Sequence, residues 1–540
     1  MLSITKKNFV IAATYAFVLA IGIILGQNFA DEKDDLSNTA ILPLGITDKT
    51  SKLNRMMQLI QQRYVDHVMI DTLQDFAMIE ISKHLDPHSV YLPARKAEAQ
   101  AESLAGRFGG IGTEVYTLND TLFVTALTPG GPAEKAGIKR GDKLLWIDDT
   151  RVAGVNMSLQ KVSDLIRGEK GSLVKIWLKR GDEEIRDPFE IERDYINTNS
   201  IEAAYLIDSL TAYIKIRKFA SNTAEEFIDA LTKLKQSSPQ NLIIDLRNNG
   251  GGYFSGAIGV LEELLPEGSL MVYTKGVNDN RMDYFSSGGG LFEDGKIAVL
   301  IDENSASASE IVAGAIQDLN RGVVVGRRSF GKGLVQQKFG FSDGSAINLS
   351  VARYYTPSGR SIQKPYKEGH IHYFNELNQR FLSGELTSGN VNDIDTVAAD
   401  GRVYRSGLGK AMISEGGIMP DIYVKLDTNG VNGFYLELVD NKVINDFVYT
   451  YMVSEPPAYS INKFISEYEV PPSMYSRFLR VARDKELSFT GKDAVDSRSL
   501  VEADMKAMIG RYFFGDEAWQ QIRNARDGVI IRSVEALRAD

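Results

Sequence analysis

The chain has no cysteine and only five histidines among its 540 residues. Without cysteine there is no disulfide framework and no thiolate metal site. The histidines form two close pairs, His84 with His88 and His370 with His372, but neither pair has an adjacent glutamate base and no HExxH occurs. A metal hydrolase is therefore disfavoured, and neither a metal site nor an organic cofactor is expected. Basic charge is also scarce. The net charge is −10 and no long basic run appears, which argues against nucleic acid as a partner. What remains is ordinary globular material, 43% apolar and 24% charged, with length enough for about three or four domains.

The amino terminus carries more information. Lys6 and Lys7 precede Phe9–Gly26, eighteen uncharged and mostly apolar residues, and Asp31, Glu32, Asp34 and Asp35 follow. This reads as an export signal with its basic end inside. The apolar run just reaches the length that spans a bilayer. The cleavage site on offer, Asn28-Phe29-Ala30, has a poor residue at its first position. The expectation is an uncleaved inner-membrane anchor with the rest of the chain in the periplasm or cell envelope. Residues 31–50 are a polar tether, and residues 51–101 carry apolar positions at helical period.

The chain is organised around residues 301–337. An apolar run, Ile297–Ile301, leads into Ser305-Ala306-Ser307-Ala308-Ser309, then into a helical pattern with Ile311, Val312, Ala315, Ile316 and Leu319 on one face. A second apolar run, Val323–Val325, leads into Gly331-Lys332-Gly333. A strand-to-helix turn lined with serines suits a nucleophile, because the amides of the first helical turn point where an oxyanion forms. Serine still needs a base, and no histidine lies in this stretch. A lysine packed in a dry cleft loses its proton more easily and can serve, and Gln336 stands four positions beyond Lys332. Gly326 to Lys332 also fits the first seven positions of a phosphate-binding loop, but the next residue is Gly333 and the segment after it reads as a strand.

The string SASASEIVAGAIQD with GRRSFGKGLVQQ resembles the carboxy-terminal processing proteases, the tail-specific serine peptidases of family S41. The resemblance implies that Ser307 is the nucleophile and that Lys332, twenty-five positions later, is the general base. It implies that Gln336 orients the lysine, and it gives Asp318 a place in the motif. Arg247-Asn248-Asn249-Gly250-Gly251-Gly252 resembles the family's DLRxNxGG segment, which makes Gly251 and Ala308 the expected oxyanion donors. Asp86-Pro87-His88-Ser89 and Thr356-Pro357-Ser358-Gly359-Arg360 match further family elements, with His88 read as a turn residue rather than a base.

Residues 105–197 hold Gly109-Gly110-Ile111-Gly112, Gly131-Pro132-Ala133 and Gly141-Asp142-Lys143-Leu144-Leu145-Trp146-Ile147. They resemble a PDZ domain of the permuted bacterial kind. Such a domain adds a peptide as a strand and holds its terminal carboxylate on glycine-rich amides. Gly110, Ile111 and Gly112 are the candidates for that loop, and Val162–Ile166 for the side-chain pocket.

The fold class expected is α/β multidomain, with a ClpP/crotonase-like catalytic core, an inserted β-rich PDZ domain and helical N- and C-terminal regions. The boundaries are 1–30 for the anchor, 31–104 for the N-terminal region, 105–197 for PDZ, 198–427 for the catalytic domain and 428–540 for the C-terminal region. Residues 366–415 read as an insertion without a strong period, and the C-terminal region has no assignable role beyond packing. The expected function is a serine endopeptidase with a Ser–Lys dyad, cleaving exported polypeptides recognised by their free carboxy termini. Its further partners are the membrane, a second copy of the chain or an adaptor protein. The alternative is a PDZ scaffold that binds carboxy termini without cleaving them.

Overall fold

The computed structural model describes residues 51–277, 280–389, 401–454 and 459–539. The anchor, the tether and residues 390–400 of the insertion lie outside the described residues. No described helix is long and apolar enough to cross a membrane. The chain divides into two units, residues 1–74 and 75–540. Of the first, the described part is the helix Ser51–Arg63 and the opening of the helix Ile70–Ser82.

The second unit is built on a six-stranded sheet ordered Ile201–Leu206, Thr211–Ile216, Asn241–Asp245, Lys296–Ile301, Val323–Gly326, Ile422–Tyr423. The first pair is antiparallel and every later pair is parallel. The runs NLIID and IAVLI are buried at every position, as strands covered on both faces must be. One face packs Leu242, Ile244, Val299 and Ile301 against Phe227, Leu231, Val260 and the helix Ala308–Asp318. The other packs Ile243, Ala298, Leu300 and Val325 under Val529, Ile530 and Leu537 of the helix Gly528–Arg538. The helix Ala308–Asp318 is buried along its whole length, so its polar side chains must find partners inside the protein.

A second sheet forms the wall of the cleft. Its strand Ala346–Tyr355 pairs with Val90–Leu92, Leu270–Gly276 and Leu334–Gly340. Val90–Leu92 precedes the β-rich domain in sequence and Ala346–Tyr355 follows it, so that domain is an insertion between paired strands. It has its own sheet, ordered Thr113–Leu118, Thr121–Leu127, Lys143–Ile147, Leu173–Arg180, Glu183–Glu184, around a core of Ile111, Val124, Leu144, Val162 and Val174.

One region departs from the sequence reading, and another is given detail. The stretch taken as an aperiodic insertion contains the helix His370–Leu382. It buries Tyr373 and Arg380 while exposing Ile371 and Leu382, which inverts the apolar pattern that reveals a helix. The C-terminal region is a helical domain with its own core, including Phe447, Phe464, Phe478 and Met505. It grips the inserted domain: Tyr116 donates to Asp446 at 2.7 Å, Arg511 pairs with Glu114 at 3.1 Å, and Arg140 donates to the Tyr512 carbonyl.

Candidate active site

The three serines of SASAS are held in different ways. Ser305 is fully buried, with its Oγ donating to the Leu246 carbonyl at 2.8 Å. Ser309 is also fully buried and donates to the Asn249 carbonyl at 2.9 Å. These two tie the turn to the loop that follows strand Asn241–Asp245. Ser307 stands between them at φ 56°, an uncommon conformation for a residue with a side chain, and caps the helix Ala308–Asp318. The turn therefore turns its middle serine to the cleft.

That cleft is a cavity of about 1020 Å³. Its lining includes Ser307, Ala308, Gly250–Gly252, Lys332 and Gln336. Gln160, Ser163 and Arg167 of the inserted domain line it as well. Lys332 Nζ donates to Gln336 Oε1 at 2.7 Å, and Gln336 Nε2 donates to the His88 carbonyl. Gln336 thus links the Lys332 amine to the turn that carries His88. Burial pulls the Lys332 ammonium below its usual pKa, against the attraction of Glu310 and Asp86. Ser307 and Lys332 share the cavity without a direct hydrogen bond between their side chains. Contacts of this kind are often long in a free site and tighten around substrate.

Glu310 is the residue that the sequence reading passed over. It is 0% exposed, and its carboxylate accepts from four donors. They are the Ser307 N–H at 2.9 Å, the Ser329 hydroxyl at 2.6 Å, the Gly331 N–H at 2.7 Å and the Lys332 N–H at 2.8 Å. One side chain thereby fixes the serine turn and the lysine loop to each other. Burial pushes its pKa up to about 7, opposed by those donors. Its signal was present: Ser307-Ala308-Ser309-Glu310 is a helix-start pattern of serine followed three places later by glutamate. Tyr354 completes the brace, donating to the Lys332 carbonyl with its hydroxyl 3.1 Å from the Ser307 carbonyl.

The oxyanion expectation needs revision at one donor. The Gly251 N–H is engaged by Asn249 Oδ1 at 2.9 Å, so in this arrangement it is not free to bind a substrate oxygen. Gly251 instead provides close approach: a Cβ there would stand 2.7 Å from Cβ of Ser307. Ala308 opens the helix, so its amide belongs to the first turn, whose amides lack an intrahelical acceptor. Gly252, at φ 144°, is packed so tightly that a Cβ would stand 1.9 Å from the Phe219 carbonyl oxygen. Gly252→Ala is expected to cost about 2–4 kcal/mol by denaturant unfolding. Gly250→Ala, with open space around it, is expected to stay within about 0.5 kcal/mol.

Asp318 serves as a latch. Its Oδ1 accepts from Arg360 at 2.8 Å and its Oδ2 from the Ser358 hydroxyl at 2.6 Å, with Asp318 and Arg360 both buried. It fastens the TPSGR element to the end of the serine helix. The strand Leu334–Gly340 directly after Gly333 rules out a phosphate-binding loop, whose lysine opens a helix. His88 Nε2 lies 2.7 Å from the Tyr373 hydroxyl, and burial with the nearby Lys332 pulls its pKa down to about 4.

In the inserted domain, Thr113–Leu118 is an edge strand with the helix Leu159–Ile166 beside it, the arrangement that strand addition uses. Gly110 ends the strand Arg107–Gly110, Gly112 lies at φ 77°, and Ile111 between them is buried in the domain core. Val162 and Ile166 also belong to that core, so the groove-lining expectation fails for their side chains. The same helical segment turns Gln160, Ser163 and Arg167 to the catalytic cavity instead.

Comparison with known proteins bears on this geometry. A family model described as peptidase family S41 matches residues 210–373. The chain carries an S41 peptidase domain. A PDZ domain model matches residues 123–180, and a family of unknown function, DUF8443, matches residues 434–515. The S41 match ends inside the helix His370–Leu382. A probable CtpA-like serine protease of Staphylococcus epidermidis is 33% identical over 313 residues, covering 58% of this chain and 62% of that protein. A carboxy-terminal-processing protease of Bartonella bacilliformis is 36% identical over 284 residues, covering 52% of this chain and 64% of that protein. The chain therefore spans less than two thirds of the length of these relatives. Among solved structures, the photosystem II D1 C-terminal processing protease is similar at 25% identity and a TM-score of 0.35, over 70% of this chain and 94% of that one.

Proposed function

We propose that the protein is a serine endopeptidase that cleaves polypeptides recognised through their free carboxy termini. The reading is carried by one observation: Ser307, in its strained turn, and Lys332, buried and held by Gln336, line the same cavity. Neutral Lys332 takes the proton of Ser307 as Oγ attacks the peptide carbonyl carbon. The first-turn amide of Ala308 receives the developing oxyanion. The tetrahedral adduct collapses, Lys332 returns the proton to the leaving amine, and water repeats the sequence on the acyl-enzyme to free Ser307. The PDZ domain holds the substrate's terminal carboxylate, and its residues Gln160, Ser163 and Arg167 border the cavity that receives the chain. The lysine-flanked apolar run at Phe9–Gly26 supports an anchored enzyme acting in the periplasm or cell envelope.

The test uses an unfolded protein with an apolar carboxy terminus, offered with that terminus free or amidated. Cleavage is expected for the free form and is expected to fall by at least about tenfold in kcat/KM when the carboxylate is blocked, a loss of about 1.4 kcal/mol. Equal cleavage of both forms refutes terminal recognition. Tight binding of the free terminus without any cleavage favours the scaffold reading.

A further inference from the structure

The helix His370–Leu382 lies at and beyond the end of the S41 match and has no part in the mechanism above. It nevertheless reaches the support of Lys332. Tyr373, 1% exposed, places its hydroxyl 2.7 Å from His88 Nε2 and 3.3 Å from Gln363 Nε2. An amide nitrogen only donates, so the hydroxyl accepts from Gln363 and gives its own proton to His88. That hydrogen bond fixes His88 as the neutral tautomer with its proton on Nδ1. The edges of Phe330 and Phe374 box the same ring, with centroids at 6.1 and 6.4 Å.

Both residues that Tyr373 joins hold the lysine loop. The His88 carbonyl accepts from Gln336 Nε2, and the oxygen of that same amide accepts from Lys332 Nζ. Gln363 Oε1 accepts from the Gly333 N–H at 2.9 Å. The helix grips the approach to the loop as well. Arg380, 4% exposed, donates to the carbonyls of Arg328 at 3.1 Å and Ser329 at 2.9 Å, and it pairs with Glu376 at 2.6 Å.

We propose that Tyr373 is a positioning residue, holding the Lys332 amine in line with Ser307 through His88–Gln336 on one side and Gln363–Gly333 on the other. The inference rests on the Ser–Lys reading of the cleft. It makes the helix His370–Leu382 a clamp on the base rather than a passive insertion. Burial and the nearby Lys332 lower the basicity of His88 and favour its neutral, accepting form.

The experiment measures kcat, KM and thermal midpoint for the full chain and for Tyr373→Phe, Phe381→Ala and Ser307→Ala. Phe381 lies on the same helix but is 52% exposed. Tyr373→Phe is expected to lower kcat by about ten- to a hundredfold with KM within twofold, as displacement of a reacting group does, and to lower the midpoint by only a few degrees as His88 Nε2 loses its donor. Phe381→Ala is expected to match the parent. If Ser307→Ala is inactive while Tyr373→Phe turns over at the parent rate, the clamp is refuted and the dyad stands. If Tyr373→Phe loses activity only at temperatures where its midpoint shows it unfolding, the residue is merely structural. If Ser307→Ala still cleaves, the dyad fails and the clamp fails with it.

Discussion

Ser307→Ala and Lys332→Ala are each expected to abolish cleavage, with kcat falling by about 10⁴-fold or more and the fold intact. Residues that act as one unit in covalent catalysis lose nearly all of its benefit when either is removed. Ser307→Ala gives up the hydroxyl half of the capping box with Glu310, at about 0.5–2 kcal/mol, and Lys332→Ala gives up the bond to Gln336. Circular dichroism is therefore expected to match the parent, and the thermal midpoint to fall by no more than a few degrees. Lys332→Arg is expected to be as inactive as Lys332→Ala, since a guanidinium does not give up its proton in a protein. The parent's pH profile supplies an independent check. Burial places the lysine pKa below its usual 10.5, and only the neutral amine is a base. Activity is expected to rise with pH through that lowered pKa and then level. A profile that is flat from pH 6 to 10 would argue against lysine as the base.

Glu310→Gln is expected to be the most damaging change outside the dyad. The carboxylate accepts from four donors, while an amide of the same shape accepts at one end and donates at the other. Two of the four donors then face a donor inside a buried site, at about 1–3 kcal/mol each. The expected loss is about 2–6 kcal/mol in denaturant unfolding, with kcat down by about 10²-fold or more as the serine turn and lysine loop lose their common anchor. The pH dependence carries a further sign. Glu310 titrates near 7 in the folded protein, against a usual 4.5. Between those values the folded chain keeps a proton that the unfolded chain has released, so this group's contribution to stability falls as pH rises and levels off above about 7. Glu310→Gln removes that slope. If the variant shows the parent's stability across pH 4.5 to 7, the carboxylate does not bridge the two loops.

Much of the site was readable because its parts are local. SASAS, GKG and the glycine triplet are short strings whose spacing places them on turns at the ends of buried strands, and the runs NLIID and IAVLI could only be covered strands. What escaped depends on distant partners. Glu310 looked like one more polar residue of a helix until the helix proved buried on every side, leaving the serine turn and the lysine loop to supply its donors. Gly251 looked like an oxyanion donor, but whether its amide is free depends on the rotamer of Asn249. Val162 and Ile166 sit at groove spacing in sequence, yet the turn of their helix sends them into the domain core. Helix His370–Leu382 was hidden because its buried residues end in a hydroxyl and a guanidinium. The docking of the C-terminal region rests on pairs such as Asp527 with Arg247, which no local pattern announces.

The helix Gly528–Arg538 has a consequence for how the fold is assembled. Its residues Val529, Ile530 and Leu537 close a sheet face whose buried strand residues, Ala203 to Val325, lie two hundred positions or more upstream. Arg247, beside the glycine loop, likewise receives its second carboxylate from Asp527. At translation rates of about 5–20 residues per second, that interval lasts on the order of ten to forty seconds. Through it the nascent sheet keeps one apolar face bare and the loop at the cleft is held from one side only. The cleft becomes whole when the downstream helix docks, so the loop beside it stays half-held until residues 528–538 have been made.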